Sequence, residues 1–284
     1  MQSHLNMFLK SVEEQDRYTQ NTISAYKNDL GQFYQFVSEN FSFTSWNDLT
    51  MADINVYIND MQEKGYASST IARKIAAVKS FFSSLHAHQK IDQNPTQGVD
   101  SPRVQKRTPQ PLSQKDVMRL LHAPRNKQTP KHLRDAALLG VLYSTGMRVT
   151  EIVSIKLNEL DLKNSLLRCI NSDGQTRDLP LEEETNVLLS KYLDRGRPGL
   201  IRNGNQESLF LNHRGQQLTR QGLWLIIKAY AKEAGLETPV TPHTLRHSFA
   251  SHKIGNGTNL QEVQQLLGHA NISTTQIYAQ KSKK

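Results

Sequence analysis

The chain has 284 residues, enough for two domains that each bury a core, and an ordinary apolar share of 37%. A single cysteine, Cys169, excludes an intramolecular disulfide or a cysteine-built zinc site, and the longest apolar run, Ala136 to Tyr143, is far too short to span a membrane. Lys and Arg number 35 against 26 Asp and Glu, and the whole excess of +9 falls in residues 108–284 (24 − 15), since residues 1–107 balance at 11 against 11. That asymmetry points to a polyanionic partner for the second half, or to a solvated basic surface there. No signal-peptide pattern opens the chain, so a reducing, cytosolic compartment is expected, with no membrane anchor in this sequence.

The first hundred residues read as helices. Ile23, Tyr26, Leu30, Phe33, Phe36 and Val37 recur at helical spacing after Asn21, a candidate cap. Thr50 with Asp53 forms a capping-box pattern ahead of Ile54, Tyr57, Ile58 and Met61, and Gly65 closes that helix. A third helix follows Ser69, with Ile71, Ile75, Val78, Phe82 and Leu85 on one stripe. Arg73, Lys74 and Lys79 lie off that stripe and offer phosphate contacts or a solvated face. Apolar periodicity then lapses between Asp92 and Ser113, where Pro, Gly and Ser punctuate the chain. We read residues 1–92 as a helical domain and 93–112 as a linker in which Lys106 and Arg107 could lie along a nucleic-acid backbone.

Residues 113–284 read as mainly helical with a small sheet. Ser113 and Asp116 open a helix with Val117, Leu120 and Leu121, and an apolar helix runs from about Leu133 to Tyr143 up to Ser144-Thr-Gly146. Arg148 begins the next segment, in a first turn whose free N–H groups also favour anions. Residues 166–181 alternate around an Asp-Gly signal as a β-hairpin, a helix follows from Glu182 to Leu193, Ser208 to Leu211 suggests a short strand, and Gly222 to Ala234 an amphipathic helix.

The chemistry concentrates in Thr241-Pro-His-Thr-Leu-Arg-His-Ser-Phe-Ala-Ser-His252, Leu267-Gly-His269 and Tyr278. Thr241 is a natural N-cap and Pro242 a natural first residue, which places His243 and Arg246 three apart on one helical face. A guanidinium can clamp two phosphate oxygens, imidazoles can move protons, and a phenol can serve as a covalent nucleophile. A helix capped by Asn259 and closed by Leu267-Gly268 delivers His269, and Tyr278 follows Ser273-Thr-Thr. His243, His247 and His252 also suggest a metal site, but the segment has no carboxylate ligand and no His-Glu-x-x-His pattern, so neither metal nor cofactor is expected. The glycine-rich loop of nucleotide hydrolases is absent.

Together, Thr-Gly-Met-Arg148-Val-Thr-Glu151, His243-Thr-Leu-Arg246-His247, Leu266-Leu-Gly-His269, Ser273-Thr-Thr-Gln-Ile-Tyr278 and Thr219-Arg-Gln-Gly-Leu-Trp224 resemble the tyrosine recombinases of the phage integrase family, most closely the Xer type. The resemblance implies a two-domain, C-shaped clamp on duplex DNA, with a helical core-binding domain and a catalytic domain. Arg148, His243, Arg246 and His269 would surround the scissile phosphate, Tyr278 would attack it, Glu151 would support the site and Arg220 would lie on the DNA. It further implies a 3′-phosphotyrosyl intermediate without cofactor, and four protomers on two sites, alike or with a second recombinase or accessory protein. The setting would be nucleoid-associated, in chromosome-dimer resolution or in integration and excision of a mobile element. A relaxing topoisomerase of similar chemistry is a further reading.

The sequence departs from the family twice. The hairpin lysine that serves as general acid falls at Ser172, and no lysine lies between Lys163 and Lys191, so Lys163 or Lys156 would have to substitute, or cleavage would be lost or dependent on a partner, leaving a DNA-binding protein. Beyond Tyr278 only Ala279-Gln-Lys-Ser-Lys-Lys284 follows where Xer-type proteins usually carry a docking helix, so cyclic assembly and allosteric coupling between protomers are expected to be weakened or arranged otherwise.

Overall fold

The structure is a computed structural model and describes residues 1–15, 18–102, 110–171, 174–202, 204, 206–269 and 271–279. The chain divides into two compact units, Met1–Arg107 and Thr108–Lys284.

The first unit is built on α1 (Gln2–Glu13), α2 (Gln20–Asn40), α3 (Met51–Glu63) and α4 (Ser68–Ala87). Its core is aromatic. Trp46 stacks on Phe33 and meets Phe81 and Phe82 edge-on, while its Nε1–H donates to the Met1 carbonyl at 3.0 Å and so ties down the start of the chain. Thr50 and Asp53 cap α3 as their spacing predicts. The caps of α2 and α4 fall instead on Thr19 and Ala67, each two residues before Asn21 and Ser69. The stretch read as a linker begins as packed structure, because Pro95, Thr96 and Val99 are buried in this unit.

The second unit contains α5 (Gln114–His122), α6 (Pro130–Thr145), α7 (Val149–Ser154), α8 (Glu183–Lys191), α9 (Arg220–Glu233), α10 (Pro242–Gly255), α11 (Leu260–Leu267) and α12 (Ile272–Ala279). Strands β1 (Leu160–Asp161), β2 (Leu166–Ile170) and β3 (Thr176–Pro180) form one antiparallel sheet in sequence order. α6 is buried on nearly every side, and even its Arg134 and Asp135 are enclosed, paired with each other and with Tyr230 Oη. Ser208 to Leu211 is no strand of the sheet; it makes only the isolated pairings Lys156 with Ser208 and Leu211 with Gln217, because Leu209, Phe210 and Leu211 are used as core side chains.

Two features aim this scaffold at one place. α6 ends in Gly146 with φ +60°, where a Cβ would sit 2.4 Å from Phe249 Cδ1, so only glycine lets the chain turn against α10. In the hairpin Cys169 lies opposite Arg177, and Leu167 opposite Leu179, with Leu167, Cys169 and Leu179 buried. Arg177 shares that inward parity, so its guanidinium must find partners inside the unit.

Candidate active site

The site forms around the C-terminal end of α11, where a helix leaves carbonyls without partners and its dipole is negative. Three successive carbonyls there are taken by three guanidiniums. Arg177 Nε–H donates to Leu266 O at 2.9 Å, Arg246 Nη2–H to Leu267 O at 2.7 Å and Arg148 Nη2–H to Gly268 O at 2.9 Å. Gly268 itself is left-handed, and a Cβ on it would lie 3.0 Å from Arg177 Nη1.

Each arginine has a second tether. Arg148 is the N-cap of α7, one step ahead of the first turn, and its backbone N–H donates to Glu151 at 2.7 Å while Nη1–H reaches the other carboxylate oxygen at 3.0 Å. Arg177 grips the same carboxylate with both ends of its fork, at 3.0 and 2.8 Å. Arg246 donates to Gly146 O at 2.6 Å, which makes the left-handed turn after α6 part of the site. Burial works to raise the Glu151 carboxyl, but the hydrogen bonds from Arg177 and Arg148 and their charges outweigh it and hold it below the usual carboxylate range. Burial, then the charge of Arg148, pushes Arg246 down to about 10, which leaves it cationic at neutral pH.

His269 follows the α11 carbonyls directly. Its Nε2 lies 2.9 Å from Arg246 Nη2 and its Nδ1 2.9 Å from Thr275 Oγ1. A guanidinium only donates, so Nε2 accepts and Nδ1 carries the proton. Burial and the charges of Arg246, Arg148 and Arg177 push this imidazole down to about 4, in keeping with a neutral ring. Tyr278 lies on α12, 6% exposed, its ring edge-on to His247 at 4.8 Å and nearly parallel to His269 at 6.3 Å between centroids. Burial raises its phenol while the charges of Arg246 and Arg148 oppose that rise. A cavity of about 650 Å³ opens beside this group, lined by Arg148, Glu151, Gly268 and His269 together with Gln264 and Gln265.

Five positions singled out by the sequence, Arg148, Glu151, Arg246, His269 and Tyr278, are therefore brought together. His243 lies in the first turn of α10, exposed, and takes no hydrogen-bond partner among the described residues. His247 faces Tyr278 and Ser251, and His252 shares a 2.8 Å hydrogen bond with Tyr143, so these histidines do not converge. Among the described residues no group of three His, Cys, Asp or Glu could hold a metal ion. Ser172, Lys106 and Arg107 lie outside the described residues. Lys156 pairs with Glu207 at 2.9 Å, Lys163 is exposed after β1, and Arg220 is exposed at the start of α9. Lys74 is a correction: at 2% exposure its ammonium serves Asp29 and Gln32 inside the first unit and offers nothing to a phosphate. Arg73 also pairs with Asp29, and Lys79 donates to the Val99 carbonyl.

Sequence reasoning missed Arg177 and Thr275. The parity of Arg177 with Leu179 was the available signal for the first; nothing short of the folded contact marks the second.

Residues 110–284 match the phage integrase family, and residues 5–89 match the phage integrase N-terminal SAM-like domain. The chain belongs to the phage integrase family of tyrosine recombinases. This integrase-family chain is 46% identical to the tyrosine recombinase XerC of Herpetosiphon aurantiacus over 98% of its length and 90% of that protein. It is 42% identical to the tyrosine recombinase XerD of Listeria monocytogenes over 93% of its length and 89% of that protein. Among solved structures, it superimposes on a lambda integrase dimer bound to a core site with a TM-score of 0.78 at 16% identity, covering 100% of this chain and 97% of that one, which is a likeness of fold. The XerA recombinase crystal structure is 29% identical with a TM-score of 0.54, covering 97% and 92%. No described helix of this integrase-family chain is long and apolar enough to cross a membrane.

Proposed function

We propose that this chain is a Xer-type site-specific recombinase that cleaves and rejoins duplex DNA through Tyr278. The observation that carries the reading is the set of arginines and neutral His269 fixed at the end of α11 beside the Tyr278 ring. Arg148 and Arg246 each keep N–H donors beyond those used internally, and these would hold the non-bridging oxygens as charge builds on phosphorus. Tyr278 Oη then bonds to phosphorus as the bond to the 5′-oxygen breaks. The phenol gives up its proton, the leaving 5′-oxygen gains one, and a 3′-phosphotyrosyl link remains. A 5′-hydroxyl of the partner strand reverses the step and releases Tyr278. The phosphoester energy stays in the link, so no nucleotide is consumed.

We further propose an assembly of four protomers on two sites, made of one chain or of two related chains; the lambda integrase whose fold this chain shares is itself a dimer on a core site. The setting is chromosome-dimer resolution or the movement of a mobile element. Exposed His243 and Arg220 are proposed to reach the DNA, with Arg73 and Lys79 as outlying contacts, and Lys106 and Arg107 are proposed contacts on the sequence alone. The leaving-group proton is the weak point, because Ser172 stands where the family usually carries lysine. A hydroxyl there slows protonation of the 5′-oxygen, by about 10²–10⁴-fold if no other group serves.

The test uses a duplex selected from a random library for binding to the full chain, placed twice in a plasmid. Recombination between the two copies is expected, and Ser172→Lys should accelerate it at least tenfold, an outcome scaled to loss of a general acid of about 10²-fold. Binding without recombination in both proteins would instead identify a DNA-binding protein. Relaxation of plasmids lacking the site would identify a topoisomerase.

A further inference from the structure

Arg177 is the one guanidinium of the α11 cluster to which the chemistry above assigns nothing. Its side chain is 14% exposed, so it is turned away from solvent, and the carboxylate it grips is 3% exposed. The hairpin supplies it from β3, opposite Cys169, while Glu151 belongs to α7 and Leu266 to α11. One side chain thus joins three elements that are distant in sequence. Two parallel N–H···O bonds to a buried carboxylate fix orientation as well as distance, and a lysine cannot reproduce them. The two oxygens of Glu151 that Arg177 holds are the same two that receive Nη1–H and the backbone N–H of Arg148.

We infer that Arg177 is a positioning residue of the phosphate site: it clamps Glu151 beneath Arg148 and anchors the end of α11 from which His269 projects. The inference rests on the recombinase reading of that site. Without Arg177, Glu151 keeps a single cationic partner, the Leu266 carbonyl loses its donor, and Arg148 and His269 lose the frame that sets their spacing. The Glu151 carboxyl is faced by Arg148 from α7, Arg177 from β3 and the Cys169 thiol from β2, with the Arg246 guanidinium and the His269 imidazole beyond. Loss of the Arg177 hydrogen bonds removes the largest influence holding that carboxyl ionised. Glu151 then takes up a proton at higher pH and releases Arg148.

The test compares Arg177→Gln, Arg177→Lys, Glu151→Gln and the double variant Glu151→Gln/Arg177→Gln in the full chain. Duplex affinity, the rate of adduct formation on a nicked duplex across a range of pH, and the His269 titration by NMR without DNA are measured. Arg177→Gln should leave Kd within about threefold and slow adduct formation about 100-fold, the scale of an ångström's misplacement. Its rate should fall off at a higher pH than wild type, and Glu151→Gln should abolish that difference. Arg177→Lys, keeping the charge and losing the fork, should stay within about tenfold of Arg177→Gln. The His269 titration should move up in both Arg177 variants.

An unchanged rate overturns the inference, and so does a loss of affinity equal to the loss of rate, which would mark general damage. A double variant whose losses multiply also overturns it, because the two residues would then act separately. A wild-type chain that binds the duplex and forms no adduct counts against the recombinase reading. The His269 titration in Arg177→Lys, which keeps the charge that itself lowers His269, then decides the positioning on its own, and a titration unmoved in that variant overturns it.

Discussion

At the residue scale, five of the side chains marked by spacing, Arg148, Glu151, Arg246, His269 and Tyr278, meet around three carbonyls that no spacing reveals. A side chain four residues from another on a helix leaves a periodic trace; Arg177 and Glu151 meet across 26 positions and leave none beyond strand parity. Two consequences can be measured. Gly146→Ala forces a Cβ into Phe249 at φ +60° and should cost about 2–4 kcal/mol in urea unfolding, from backbone strain and overpacking. A change below roughly 0.5 kcal/mol, the ordinary surface range, would show that α6 ends otherwise. His269 gives a pH signature. Its folded value near 4 lies below its ordinary 6.5, so above the ordinary value both folded and unfolded chains hold it neutral. As pH falls from there toward 4, only the unfolded chain takes the proton and folding weakens, by at most roughly 3 kcal/mol. Glu151, held low, loses its contribution at still lower pH, as the pH passes through its depressed folded value. Chemical denaturation across this range should show the first loss in wild type and its absence in His269→Gln.

At the element scale, helices announced themselves through their ends. Thr50 with Asp53, Ser113, Thr241-Pro242, Asn259 and Gly268 all cap where their chemistry requires. α1 carries no cap signal, Met1 making no side-chain cap, and β1 is two residues long, too short for alternation to show. Ser208 to Leu211 has strand-like residues because it fills a core. The third helix of the first hundred residues was legible in place but not in partners: Lys74 lies off the apolar stripe and is buried all the same, because Asp29 across α2 needs a cation. Lys74→Ala should therefore destabilise the chain by about 1–3 kcal/mol, the cost of removing one donor from a buried acceptor, because Arg73 still pairs with Asp29. The salt dependence of duplex binding measured on still-folded Lys74→Met should match wild type. A slope reduced by about one unit would make Lys74 a phosphate contact after all.

At the scale of the whole molecule, the even charge of residues 1–107 and the +9 of residues 108–284 follow the division into two compact units. The second unit contains the whole arginine cluster at the end of α11, and the first is organised around an aromatic core with its own internal ion pairs. Recombinase chemistry in this chain requires one bond, between Tyr278 and a DNA 3′-phosphate. A nicked duplex carrying the selected site, labelled at the scissile strand and incubated with the full chain, should yield a covalent complex. Peptide mass spectrometry should place a 3′-phosphate on Tyr278, with a free 5′-hydroxyl on the released strand, and Tyr278→Phe should give none. Attachment at another residue, a 5′-linked product, or an undiminished adduct in Tyr278→Phe would contradict it.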